Sequence, residues 1–211
     1  MPVIDLSHTL MNHMPVFPGT EVPRFKTAGS IEKDGYVEKM LTMLSHTGTH
    51  MDAPAHMMEQ GATLDTFALD KFMGPAMVLD GTGLSGIDTH HLIRQEEQIA
   101  RCDFIIFQTG WSKYWGQDRY YSGFPVLTSN AARWLTQFNL KGVGVDTISI
   151  DAADSVIFPV HKILLPENIL IIENLTNLDK VKNGLFTFCC FPLKIEQADG
   201  SPIRAVGIWD E

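Results

Sequence analysis

The eleven residues from His46 to His56, HTGTHMDAPAH, hold three of the chain's eight histidines and one aspartate. Imidazole nitrogen and carboxylate oxygen are the donors that first-row divalent cations accept, so the chemistry in view is metal binding by His46, His50, Asp52 and His56. A regular helix cannot gather them: Asp52 lies six residues from His46 and points away, and Gly48 and Pro54 oppose helix. An extended segment aims all four even-numbered positions at one face, but the ~13 Å between residues four apart is too long for a single ion. The segment must therefore bend. Gly48 supplies the permissive backbone, and Pro54 ends ladder pairing where the chain leaves a sheet. A histidine-rich surface loop is the competing reading for any two of these residues; it does not account for the whole constellation.

Short apolar runs separated by turn residues supply the elements that must position this segment. Residues 3–6, 36–44, 76–79, 104–107, 143–145, 169–172, 185–191 and 205–209 read as strands. Asp88 can cap a helix running towards Ala100, and Ser129 another in which Ala131, Leu135 and Phe138 form a stripe ending before Gly142. The middle is βαβ-like, while the strand-rich flanks predict a mixed sheet, so the fold class is α/β.

The 211 residues suffice for one sizeable core and read as a single domain, 1–211. Lys and Arg total 16 against 25 Asp and Glu, a formal charge of −9 that disfavours nucleic acid or an anionic membrane as partner. The three cysteines, Cys102, Cys189 and Cys190, do not form a disulfide framework. No targeting leader or apolar run of membrane-spanning length is found, so the expected location is the cytoplasm.

The motif HTGTHMDAPAH resembles the H-x-G-T-H-x-D-x-P-x-H signature of the cyclase family of metal-dependent hydrolases, which includes bacterial kynurenine formamidase and isatin hydrolase. Asp5-Leu6-Ser7, the stretch Pro15-Val16-Phe17-Pro18-Gly19, and a later His161 and Glu173 also fit the resemblance. Alone, His161 reads as a loop histidine and Glu173 as a surface charge; the resemblance makes both metal ligands. It implies a swivelling β/β/α-type mixed sheet and two divalent metal ions per subunit, zinc first and manganese as the alternative. His46, His50, Asp52 and Glu173 would surround one ion, and Asp52, His161 and Glu173 the other, with both carboxylates bridging. His56 would be the general acid/base for hydrolysis of an amide C–N bond by a metal-bound hydroxide. The implied substrate is a small arylformamide such as N-formylkynurenine, giving formate and kynurenine in tryptophan catabolism, and a cyclic amide such as isatin is the alternative. A homo-oligomer, dimer or tetramer, is implied as well. Two rivals stand beside this: a metal-binding regulatory module without catalysis, and a purely structural metal site.

Phe17 stands where kynurenine formamidases usually carry tryptophan, which keeps a stacking face for substrate and loses the indole N–H. The aromatic run from Trp111 to Phe124 offers further candidates for the substrate wall, but core packing or a dimer contact is the better reading. Gly81-Thr82-Gly83-Leu84-Ser85-Gly86 matches G-x-G-x-x-G formally, but no acidic residue closes the next strand, so a glycine-rich turn is the better reading. The segment Asp146 to Asp151 could shape the pocket or satisfy loop backbone, and it is left unassigned. Met40, Met43, Met51, Met57 and Met58, crowded around the motif, are expected as core filler.

Overall fold

The computed structural model describes residues 1–181 and 184–209. Eleven strands form among them: β1 (Val3–Asp5), β2 (Arg24–Gly29), β3 (Glu38–Thr42), β4 (His50–Asp52), β5 (Met73–Asp80), β6 (Phe104–Gln108), β7 (Gly142–Val145), β8 (Leu170–Glu173), β9 (Phe186–Cys189), β10 (Gly200–Pro202) and β11 (Val206–Ile208). Nine of them make one sheet in the order β1-β11-β9-β5-β6-β7-β8-β4-β10, and β2 pairs with β3 in a separate hairpin. The centre, β5 through β8, is parallel, and antiparallel pairs extend it on both sides. The fold is therefore mixed α/β, as the flanking strand runs predict.

Parallel strands covered on both faces are apolar throughout, and β6 shows the consequence. Its Ile105 and Phe107 point into a core shared with Leu135, Val143 and Ile171. Its Phe104 and Ile106 point into the opposite core with Phe188, Ile172 and Met51. The helix Ser129–Leu135 covers the first face; its cap is Thr128, whose hydroxyl accepts from the Ala131 N–H at 3.2 Å, one residue earlier than expected. Phe138 lies beyond the helix end and packs its ring against Trp134 at 4.7 Å. Asp88 does cap, but the segment towards Ala100 is three short helical pieces, Thr89–Leu92, Ile93–Gln95 and Glu96–Ile99, in place of one helix.

β2 and β10 have no counterpart among the expected strands, because each is short or polar and carries no apolar alternation of its own, whereas β4 is the extended piece expected to leave the sheet at Pro54. Two of the five methionines depart from the expectation: Met40 is 61% exposed on β3 and Met58 37%, while Met51 is fully buried. No helix among the described residues is long and apolar enough to cross a membrane.

Candidate metal centre

Strand register brings the donors together. β4 and β8 run antiparallel with His50 opposite Glu173, and opposed residues on one face place their Cβ atoms about 4.5–5.5 Å apart. Asp52 shares that face because side chains alternate along a strand. The turn at Gly48, φ +68, folds the chain back so that His46 Nδ1 lies 2.7 Å from Asp52 Oδ1. Gly200 of β10 sits opposite Asp52, where a Cβ would collide with the His46 ring, so the close approach requires glycine there. His161 enters from the first turn of the helix His161–Leu164.

The donor atoms sort into two groups around two shared carboxylates. His50 Nε2 lies 3.3 Å from Asp52 Oδ1 and 3.6 Å from Glu173 Oε2. His161 Nε2 lies 3.4 Å from Asp52 Oδ2 and 3.5 Å from Glu173 Oε1. Two ligands at ~2.1 Å from one tetrahedral ion stand about 3.4 Å apart, so these spacings suit ligands around a cation. The His46–Asp52 contact is a direct hydrogen bond and would have to widen. Donor atoms of His46, His50 and Asp52 all lie within 4.8 Å of one another, as do those of Asp52, His56 and His161.

Each imidazole has its other nitrogen held by an oxygen. His50 Nδ1 donates to the Gly48 carbonyl at 2.8 Å, which turns Nε2 towards the carboxylates as the nitrogen that would serve a cation. His161 Nδ1 is 2.7 Å from Asp151 Oδ2, and Asp151 also accepts from the Val160 and His161 N–H groups at 3.0 and 3.1 Å. His46 Nε2 is 2.9 Å from Asp199 Oδ2, and Ser45 Oγ donates to the same carboxylate at 3.0 Å.

Charge at the centre calls for cations. Asp52 is 1% exposed, and its side-chain partners are imidazoles. Among the described residues, no Lys or Arg lines the cavity. Burial would hold Asp52 protonated, but His46, His161 and His50 outweigh it and keep the carboxyl well below its usual range. Burial would likewise strip the proton from His46, yet Asp52 and Asp199 raise it to about 10. His161 is pushed well above its ordinary value against burial by Asp151, Asp52 and Glu173. Protons on His46 and His161 thus stand where divalent cations would otherwise balance the carboxylates, and nitrogen with carboxylate and no thiolate suits zinc or manganese.

His56 closes the turn Pro54–His56, with Nδ1 3.5 Å from Asp199 Oδ2 and its ring 3.9 Å from that of His46. Burial holds its pKa below the ordinary value, so the imidazole is neutral near pH 7 and can accept a proton.

These groups line a cavity of about 440 Å³. Phe17 forms part of its wall, facing Phe158 with ring centroids 6.5 Å apart, and Phe158 sets its edge towards the His161 ring at 5.8 Å. The other aromatics considered for that wall do not reach it: Tyr120 and Phe124 are buried in a separate cluster against which Phe17, Trp111, Trp115 and Tyr121 pack. Asp146 braces that cluster's leading loop, accepting from Thr109, Gly110 and Trp111. Sequence reasoning left Asp151 unassigned and passed over Asp199, Asn174 and Phe158. Asp151 stands ten residues from His161 within a run of loop-type residues, and Asp199 lies in Asp-Gly-Ser-Pro, where a turn is the ordinary reading.

Residues 4–152 match a family model described as Putative cyclase. The chain is 31% identical over 204 residues to kynurenine formamidase of Bacillus thuringiensis (strain Al Hakam), covering 96% of this chain and 95% of the relative. It is 34% identical over 211 residues to an uncharacterized protein of Methanocaldococcus jannaschii, covering 99% and 100%. Among solved structures, isatin hydrolase A from Labrenzia aggregata is similar with a TM-score of 0.89 and 26% identity, over 100% of this chain and 94% of that one.

Proposed function

The chain belongs to the putative cyclase family, and from that premise we infer that it is a metal-dependent hydrolase of a small amide, an arylformamide such as N-formylkynurenine in the first instance. The observation that carries this reading is the pair of carboxylates, Asp52 and Glu173, each facing both His50 Nε2 and His161 Nε2 at 3.3–3.6 Å. His46, His50, Asp52 and Glu173 would hold one divalent cation and Asp52, His161 and Glu173 a second, with residues 1–211 acting as one domain. Two such cations, zinc or manganese, would supply an acidified water and a polarised carbonyl.

The chain's own residues do the rest. Asp151 and the Gly48 carbonyl fix the ring orientations of His161 and His50. His56, neutral at pH 7, takes the proton of the attacking water at its free ring nitrogen and returns it to the leaving amine. Asp199, 3.5 Å from His56 Nδ1, steadies the imidazolium formed in between. Phe17 and Phe158 present apolar faces that suit an aryl group beside the centre.

A second reading, opening of a cyclic amide such as isatin, is supported by the likeness to isatin hydrolase A and uses the same groups. Formate release from N-formylkynurenine, measured beside ring opening of isatin, tests both with zinc- or manganese-loaded and metal-stripped protein. Metal-dependent turnover of the formamide in excess of isatin is expected; the reverse ratio selects the cyclic substrate. No metal binding by folded protein would overturn the reading of the site.

A further inference from the structure

The turn that carries His50 is built on a glycine. Gly48 adopts φ +68, where a Cβ would collide with Leu10 and Met14, so glycine is required. Glycine also leaves its peptide free to rotate. The Gly48 carbonyl is nonetheless the acceptor that sets which nitrogen of His50 faces Asp52 and Glu173. Something outside the turn has to hold that carbonyl still.

Asn174 does so. It follows Glu173 with φ +58, a left-handed conformation that asparagine tolerates. Its Nδ2 donates to the Gly48 oxygen at 2.9 Å, so that oxygen receives two hydrogen bonds, one from Asn174 and one from His50 Nδ1. A carbonyl cannot donate, so the amide nitrogen must face Gly48 and Oδ1 must face away. Oδ1 accepts from the Tyr120 hydroxyl at 2.7 Å. The backbone of Asn174 is fixed too: its oxygen accepts from Thr49 Oγ1 at 2.6 Å, and its N–H donates to the Thr147 carbonyl at 3.0 Å. Tyr120 is fully buried, and its phenol comes from the aromatic cluster against which Phe17 packs.

We propose that Tyr120 and Asn174 form a positioning relay that clamps the Gly48 carbonyl and thereby holds His50 in the one tautomer and orientation that present Nε2 to Asp52 and Glu173. Tyr120 lies outside the cavity and Asn174 on its lining; the role proposed for both is exerted through His50. The relay links the aromatic cluster to the donor group through the Tyr120 hydroxyl, so loss of that hydroxyl is felt at the centre where a packing change elsewhere in the cluster is not. The metal arm of the proposal rests on the reading of this site as a metal centre, whereas the tautomer arm does not.

Tyr120→Phe keeps the ring and removes the donor, leaving the buried Asn174 Oδ1 unpaired. Asn174→Gly keeps the left-handed backbone and removes both side-chain bonds. Phe124→Leu disturbs the same cluster without touching Asn174, and so reports what general loosening does. Zinc affinity, read by competition with a chromogenic chelator, is expected to weaken by ~10–100-fold in Tyr120→Phe and Asn174→Gly and to stay within about twofold of the parent in Phe124→Leu. In metal-free protein, long-range ¹⁵N–¹H correlations are expected to show the His50 Nδ1 proton held towards Gly48 in the parent and in Phe124→Leu, and a mixture of ring-nitrogen states in the two relay variants. Unchanged zinc affinity together with an unchanged tautomer in both relay variants would overturn the relay while leaving the metal centre standing. If the tautomer shifts as expected but the folded parent takes up no zinc, the relay stands and the metal centre fails.

Discussion

The donor cluster at the β4–β8 junction and the aromatic cluster behind it both bury histidine, and they treat it in opposite ways. His46 and His161 are enclosed by carboxylates and hold their protons, His46 up to about 10. His8 lies flat on Trp115, ring centroids 3.9 Å apart and 6° between planes, and burial drives it down to about 4. Its Nε2 has no hydrogen-bond partner among the described residues. Burial acts in the same direction on all three imidazoles; the sign of the outcome is decided by Asp52, Asp151, Asp199 and Glu173. A site built to attract cations and a site built to pack rings differ here by four carboxylates rather than by depth.

Removing one of those carboxylates should make the first region resemble the second. Asp52→Asn leaves the histidines in place and deletes the oxygen charge they share. Expected are loss of tight metal uptake, measured as metal per chain after dialysis against limiting zinc, and a fall in kcat/KM beyond the ~10²-fold that loss of an outer partner produces. Full retention of two metals would separate Asp52 from the ligand set. His56→Ala tests the other half of the assignment, because His56 is held neutral while its neighbours are charged. Metal content should be unchanged and kcat should fall by ~10²–10⁴; unchanged kcat would remove His56 from proton transfer.

A smaller effect is expected from Asp151→Asn, which replaces the oxygen that holds His161 Nδ1 but keeps the side chain's size. Zinc affinity should weaken by ~10–100-fold, with the fold intact by circular dichroism. A change under about twofold would mean that the Val160 and His161 N–H contacts of Asp151 serve only the turn.

The contrast between the two regions also marks what could be read from the sequence. The donors of the motif were legible because their parity, the Gly48 bend and the Pro54 stop are local properties, and the structure has a three-residue strand with a bend on one side and a turn on the other. Their partners were not. Asp199 reaches His46 across 153 residues, and Tyr120 reaches Asn174 across 54, and such pairings are set by sheet order, which periodicity does not encode. Apolar runs located the central strands β5 to β8 but missed β4 and β10, whose pairing is decided by their neighbours rather than by their own pattern. The aromatic run could be read as core, as wall or as contact surface for the same reason, and its rings pack on one another behind the cavity.

His8 offers the finest test, because its signature is a pH slope rather than a lost activity. Its folded-state pKa, about 4, lies below the unfolded value of 6.5. The unfolded chain therefore binds the proton more readily, and the stability contributed by neutral His8 is complete above pH 6.5 and is lost as pH falls through 6.5 towards 4. His46 and His161 have the opposite sign: their contribution is complete below pH 6.5 and is lost as pH rises from 6.5 through their raised values, about 10 for His46. His56 shares the direction of His8 and contributes to the same acid window. In metal-free protein, His8→Phe keeps a ring to stack on Trp115 and removes the titrating nitrogen, so the melting temperature of the variant should fall less steeply between pH 6.5 and 4 than that of the parent. The alkaline limb should be the same in both. If the two acid limbs superpose, His8 is solvated in solution and the unpaired Nε2 is not a buried group; if the alkaline limbs diverge instead, the aromatic and donor clusters are coupled through Thr49, whose hydroxyl accepts from the His8 N–H and donates to the Asn174 carbonyl.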